Sequence, residues 1–61
     1  MQYAINLIGS KKYVSKPGSK HSYTQSLPCI RWYATREDAE RDLCPGNERI
    51  VTPSEIFKYE R

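Results

Sequence analysis

The most restrictive feature of this sequence is an alternation of apolar side chains near its start. The alternating residues are Tyr3, Ile5 and Leu7. Apolar residues at every second position are typical of a β-strand with one buried face, so we predict a strand over residues 2–8. A glycine-serine pair at positions 9 and 10 supplies a turn, and the tyrosine-valine pair that follows favours a returning strand at 11–14. The pattern therefore predicts a β-hairpin over residues 2–15.

The length of the chain limits what can be built around this hairpin. An isolated hairpin is marginally stable at best, and 61 residues make a single domain, spanning residues 1–61. A chain of this size buries only about 60% of the surface that its unfolded form exposes. Because few residues remain once a core is built, we do not expect a deep substrate cleft.

The segment after the hairpin carries turn signals. Residues 15–26 contain the turn pair Pro17-Gly18, so we predict a mobile loop there, with a short edge strand at 22–25 as the alternative. Ser26 then has the position of a cap for a single helical turn.

A second alternating segment predicts a third strand over residues 30–34. Ile30, Trp32 and Ala34 would share its inner face, and Trp32 is expected in the core because a small domain needs its largest side chain inside. Tyr33 points to the opposite face and is the better candidate for an exposed contact.

A short helix is expected directly after this strand. Thr35 followed by Asp38 is a weaker form of the capping box, and residues 36–43 contain good helix formers. Ala39 and Leu43 lie four positions apart on one helical face. A helix of barely two turns cannot persist alone, so we expect it to dock on the sheet.

The last part of the chain predicts a fourth strand at 48–51. Thr52 and Glu55 then form a capping box with Pro53 at the first helical position, which favours a helical turn. The alternative continues the strand through residues 56–59.

These elements predict an α+β domain with a ββ-β-α-β order. A small three- to four-stranded antiparallel sheet carries one short packed helix, with an extra helical turn at the C-terminus. The predicted core is Tyr3, Ile5, Leu7, Val14, Leu27, Ile30, Trp32, Ala39, Leu43 and Ile50.

Two segments together resemble a family of small proteins. The run RWYATREDA at 31–39, followed by GNERIV at 46–51, resembles phage and prophage proteins of unknown function, with Cys29-Ile30 where an alanine next to the arginine is usual. The resemblance covers most of the chain and implies the same strand and helix order and a mobile-element origin. It transfers no catalytic residue. It implies a protein partner from the host or the phage, and inhibition of a host factor as one mode of action.

Charge is divided unevenly along the chain. Residues 1–36 contain six lysines and arginines and no acid, whereas residues 37–61 contain seven acids and four basic residues. Basic residues interleaved with aromatic ones can contact phosphates and stack on bases, so nucleic-acid binding is the alternative function. Lysines on a hairpin also keep a sheet edge soluble. The candidate interaction surface comprises Lys11, Lys12, Lys16, Lys20, Tyr23, Arg31 and Tyr33.

The helix offers a second candidate surface of opposite charge. Its carboxylates could meet a basic partner, although a solvated helix face has the same composition. A hairpin edge could also pair with its own copy and give a homodimer. The candidate acidic helix face comprises Glu37, Asp38, Glu40 and Asp42.

Enzymatic chemistry is not expected from these residues. His21 is the only histidine, no acid lies within fifteen positions of it, and no phosphate-loop or hydrolase motif occurs. Cys29 and Cys44 lie outside any C-x-x-C motif and are expected to be free thiols, so we predict no catalytic residue, metal or cofactor. No run of about 20 apolar residues predicts a membrane helix, and the start lacks a signal-peptide pattern. A cytosolic location in a host cell is expected.

Overall fold

A computed structural model describes residues 2–59, with side chains through residue 56. In chain order the elements are β1 (Ala4–Leu7), β2 (Tyr13–Val14), β3 (Tyr23–Thr24), a 3-10 turn (Leu27–Cys29), α1 (Arg36–Asp42), β4 (Glu48–Val51) and α2 (Pro53–Tyr59). The described strands form one antiparallel sheet in the order β3-β2-β1-β4, so β3 and β4 are its edges. The predicted α+β class with a four-stranded sheet and a packed short helix is confirmed.

The predicted N-terminal hairpin is present, with strands shorter than expected. β1 pairs with β2 with Asn6 opposite Tyr13, and the Leu7 amide donates to the Lys12 carbonyl at 2.9 Å. Gly9 has a φ of 84°, a left-handed conformation that a residue without a β-carbon adopts at little cost. The glycine therefore lets the chain reverse between the two strands.

Apolar residues cover both faces of the sheet. The face that we call the α1 face carries Ile5, Tyr33 and Ala39, with Tyr3, Val14, Leu43 and Ile50 packed against them. The opposite α2 face carries Ala4, Tyr13, Ile30, Val51 and Ile56, with Leu27 and Trp32 packed against them. Every residue of the predicted core is buried or half-buried, but the alternation at the start of the chain identified only one of the two faces.

The predicted third strand at 30–34 is wrong. This segment touches two different strand ends through single bridges, Ile30 with Ser15 and Tyr33 with Tyr3. Because it crosses from one partner to the other, it builds a ladder with neither. Ala34, predicted to face inward, is exposed.

The strand missing from 30–34 is supplied by the segment predicted as a loop. β3 lies within 15–26 and pairs antiparallel with β2, so the edge-strand alternative is what forms. The connection from residue 16 to residue 22 is irregular, and a helical turn follows Ser26 as predicted, although the Ser26 side chain makes no capping hydrogen bond.

The two helices begin where their caps predict. Thr35 Oγ1 accepts a hydrogen bond from the Asp38 amide at 3.1 Å, and Ala39 is fully buried against the sheet. Thr52 Oγ1 accepts from the Glu55 amide at 3.4 Å, so the helical alternative forms after β4 rather than a longer strand. The C-terminal helix brings Ile56 onto the α2 face.

Candidate functional site

The lysines of the candidate interaction surface lie at two ends of the sheet. Lys11 and Lys12 belong to the connection between β1 and β2, whereas Lys16 and Lys20 belong to the connection between β2 and β3. All four are exposed. Because β2 runs between these connections, and an extended chain advances about 3.4 Å per residue, Lys12 and Lys16 are separated by roughly 14 Å along it. The four lysines therefore do not form one compact cluster.

Tyr33 is not an exposed contact residue, contrary to the prediction. It is 5% exposed, and its phenol donates a hydrogen bond to Asp42 Oδ2 at 2.9 Å. The Arg31 guanidinium lies 5.0 Å from the centre of the Tyr33 ring and 3.8 Å from Asp42 Oδ2. Burial, and then the hydrogen bond to Asp42, raise the pKa of Tyr33 to about 12. The ring and its two charged neighbours thus belong to the packing of the fold.

Tyr23, the other candidate tyrosine, is also engaged. It is half-buried, and its phenol donates to the carboxylate of Glu48. The hydrogen bond to Glu48 is the main cause of a raised pKa for Tyr23. Neither candidate tyrosine offers a free hydroxyl for a partner in the structure.

Three of the four carboxylates of the acidic helix face form ion pairs with arginines of the same chain. Arg41 lies 3.8 Å from Asp38, Arg36 lies 3.5 Å from Glu40, and Arg31 meets Asp42 as described. Such exposed pairs contribute at most about 1 kcal/mol each. Glu37 is the one candidate carboxylate outside the ion pairs of the described part of the chain, so the face is weaker as an acidic patch than its sequence suggests.

Glu48 is a buried carboxylate that the sequence reasoning missed. It is 7% exposed, and its two oxygens accept hydrogen bonds from the Tyr23 phenol and, at 2.8 Å, from the Cys44 amide. Buried carboxylates need such partners because the charge has lost its water. Glu48 lies two positions before Ile50 in the strand, so the two side chains lie on the same inward-facing side. That spacing was the signal in the sequence for a buried Glu48. Glu48 fixes the start of β4 against the connection from α1.

The strand β4 has an open side. Among the described residues β4 pairs only with β1. The Leu7 amide donates to a carbonyl on the β2 side of β1, whereas the Ile8 amide donates to the Asn47 carbonyl on the other side. The even-numbered residues of β1 therefore direct their backbone N–H and C=O groups towards β4. Arg49 lies opposite one of these residues. By the alternation of an antiparallel ladder, Ile50 directs its N–H and C=O away from β1, into the open side.

A groove with a volume of about 580 Å³ follows this edge. Successive side chains of a strand point to opposite faces, so a groove that touches neighbouring residues of β4 lies at the edge of the sheet. Half-buried Leu43 and Ile50 give it an apolar part. We call this feature the β4 groove, and its lining includes Arg36, Leu43, Pro45, Glu48, Arg49 and Ile50.

The remaining chemistry-bearing residues are dispersed. Cys29 and Cys44 are exposed free thiols, and His21 is exposed. Within residues 2–59, no three histidine, cysteine, aspartate or glutamate side chains come together in a way that could hold a metal ion. No helix in that part of the chain has both the length and the apolar character needed to cross a membrane.

Comparison with known proteins gives no family for this chain. No protein-family model matches the sequence, and neither a curated protein nor a solved structure matches it.

Proposed function

We propose that this protein acts by protein–protein interaction, by taking an extended segment of a partner onto the open side of β4. The observation that carries the proposal is the outward direction of the Ile50 N–H and C=O. A strand added beside β4 would bond these groups and continue the antiparallel sheet.

The other edge of the sheet is less suited to this task. β3 contains two residues, whereas β4 contains four, so β4 presents a longer row of backbone groups. The hydrogen bonds of Glu48 also hold the start of β4 in place before a partner arrives. A preformed edge lowers the ordering cost of binding.

The side chains along the β4 groove indicate the chemistry of the partner segment. Residues of an added strand alternate between the two faces, so every second one would lie on the α1 face beside Leu43 and Ile50. An apolar side chain at that position would cover the exposed parts of both. We therefore propose a partner segment that is extended and has a branched apolar residue opposite Ile50.

The resemblance to phage accessory proteins suggests where such a partner is found. A host or phage protein in the host cytoplasm is the partner that this resemblance implies. Occupying one of its extended segments would block the contacts that the segment makes, which is a direct route to inhibition. Nucleic-acid binding has less support, because Tyr33 is buried and the lysines are divided between two ends of the sheet.

The experiment uses a library of extended synthetic peptides, since the partner is unidentified. Peptides selected on the full chain are titrated against it, and hydrogen exchange is followed at each amide. We expect the bound peptide to slow exchange at the Ile50 amide. A chain synthesised with an N-methyl group on that amide should lose binding, because methylation removes the donor and blocks close approach of a strand. N-methylation at Lys20, in the β2–β3 connection, is the matched control and should leave binding unchanged.

Three outcomes would overturn the proposal. The first is a library that yields no binding peptide, and the second is a peptide that binds equally well to the Ile50-methylated chain. The third is dimerisation of the free protein that methylation at Ile50 abolishes, since the occupant of the edge would then be a second copy of this chain.

A further inference from the structure

We propose a second binding site, for a small monocarboxylate with an apolar body, in a cavity between the β1–β2 turn and α2. The cavity has a volume of about 360 Å³, within the range of small-ligand pockets. The cavity lies on the α2 face, whereas the apolar residues of the β4 groove, Leu43 and Ile50, lie on the α1 face. The residues that matter for the ligand are Asn6, Lys11, Tyr13, Arg49, Glu55 and Ile56.

One buried amide organises the polar side of this cavity. Asn6 is 4% exposed, and its Nδ2 donates to the carbonyls of Ser10 at 3.0 Å and Lys12 at 2.9 Å. Its Oδ1 accepts from Arg49 Nε at 3.2 Å. The same side chain therefore fixes the turn that carries Lys11 and orients the guanidinium of Arg49.

The orientation of Arg49 suits a carboxylate. Because Nε is bonded to Asn6, the two terminal nitrogens of the guanidinium remain as a parallel pair of donors. Such a pair matches the two oxygens of a carboxylate in a bidentate contact. Holding the guanidinium in advance also removes part of the entropy cost of that contact.

The charged side chains that line the cavity favour a ligand with a single negative charge. Lys11, Arg49 and Glu55 line it, and none of them takes part in an ion pair within the described residues. Among the described lining residues, two cations and one carboxylate leave an excess of one positive charge. A monoanion matches this excess, whereas an inorganic phosphate dianion would meet repulsion from Glu55.

The opposite wall of the cavity receives the apolar body of the ligand. Tyr13, Val51 and Ile56 belong to the α2-face cluster and also line the cavity. Since one water occupies about 30 Å³ of liquid, the volume corresponds to roughly twelve waters. A phenyl ring on a short acid chain is smaller than this volume and fits within it.

The test is a titration of the full chain with 3-phenylpropionate, followed by amide chemical shifts and calorimetry. We expect saturable binding with a dissociation constant in the millimolar range, as suits a ligand of about ten non-hydrogen atoms. Shifts should centre on residues 10–12 and 49. The uncharged analogue 3-phenylpropionamide should bind at least about tenfold more weakly, and inorganic phosphate should give no saturable binding over the same range.

Variants separate a built site from general attraction to a basic protein. Lys11→Gln and Arg49→Gln should each weaken binding of the acid about fivefold or more, and Arg49→Lys should weaken it although it keeps the charge. Lys20→Gln makes the same charge change at the far end of β2 and should have no effect. Glu55→Gln should tighten binding of the acid and admit phosphate.

Equal binding of the acid and the amide would overturn the proposal, and so would equal losses in Lys11→Gln and Lys20→Gln. An absence of saturable binding of the acid would also overturn it. The site shares Arg49 with the β4 groove but does not use the Ile50 amide. Methylation of the Ile50 amide should leave binding of the acid unchanged, so the two proposals can fail separately.

Discussion

The phenol of Tyr33 donates a hydrogen bond to the carboxylate of Asp42 at 2.9 Å. This contact joins the irregular segment that follows the 3-10 turn to the last residue of α1. Arg31 completes the group by lying over the ring and near the carboxylate. Three residues expected on two separate interaction surfaces therefore hold one another, so we propose other parts of the molecule for partner binding.

Removing the hydroxyl of Tyr33 tests how much this hydrogen bond contributes to the stability of the fold. Tyr33→Phe keeps the buried ring and deletes only the hydroxyl, so the lost term is one hydrogen bond to a carboxylate that water can still reach. We expect the free energy of unfolding to fall by about 0.5–1.5 kcal/mol, measured by urea denaturation. An unchanged free energy of unfolding would show that the hydrogen bond contributes no net stability.

The raised pKa of Tyr33 predicts that the folded protein loses stability at alkaline pH. The pKa of Tyr33 is raised from 10.0 to about 12, so the folded state holds the phenol neutral where the unfolded chain ionises it. The stabilisation is complete below pH 10 and is lost as the pH rises towards 12. In denaturation series across this range, the advantage of the natural protein over Tyr33→Phe should shrink. A constant difference would contradict the raised pKa.

We expect the loss of the buried Glu48 carboxylate to lower the free energy of unfolding more than the loss of the Tyr33 hydroxyl does. Glu48→Ala leaves the Tyr23 phenol and the Cys44 amide without their acceptor, and we expect a loss of about 1–3 kcal/mol in the free energy of unfolding. Glu48→Gln keeps an acceptor oxygen and should lose less. Glu37→Gln, at an exposed carboxylate in α1, is the control and should change stability by at most about 0.5 kcal/mol. Similar losses for Glu48→Ala and the control would refute the role of the buried contacts.

The elements that the sequence predicted well are those with local signals. The Thr35 and Thr52 caps mark helix starts through side chains three residues from their targets, so both helices could be placed without knowledge of the tertiary fold. The strand at 48–51 has the predicted bounds, and the glycine turn at 9 forms the hairpin. In each case the signal and its structural consequence lie within a few residues.

The features that sequence reasoning missed depend on contacts far apart in the chain. Alternation at the first strand identified one apolar face, but Ala4 is fully buried because Val51 and Ile56 cover the other. The bond between Tyr23 and Glu48 spans 25 positions. No periodicity within a short window records such pairings, so the candidate site could be found only after the chain was folded.

Two apolar residues of the α2 face allow a ranking by burial. Ile30 is fully buried, whereas Trp32 is half-buried and packs against the rim of the same cluster. We expect Ile30→Ala to cost about 2–5 kcal/mol, enough to unfold so small a domain, and Trp32→Ala to cost about 1–3 kcal/mol because part of the ring is already in water. Thermal unfolding checks the order. A greater loss in Trp32→Ala would mean that its ring contributes more to the core than its exposure indicates.

The division of the lysines predicts weak and diffuse binding of nucleic acid. A titration of a labelled single-stranded oligonucleotide should show binding at low salt that is lost near physiological salt, because few phosphates are neutralised at either end of the sheet. Replacing Lys11 and Lys12 by glutamine should weaken this binding about as much as replacing Lys16 and Lys20, since neither pair forms a specific site. Tyr33→Phe should leave it unchanged, because the buried ring cannot stack on a base. Salt-resistant binding, or loss of binding in one lysine pair alone, would instead favour a localised nucleic-acid site and the alternative function.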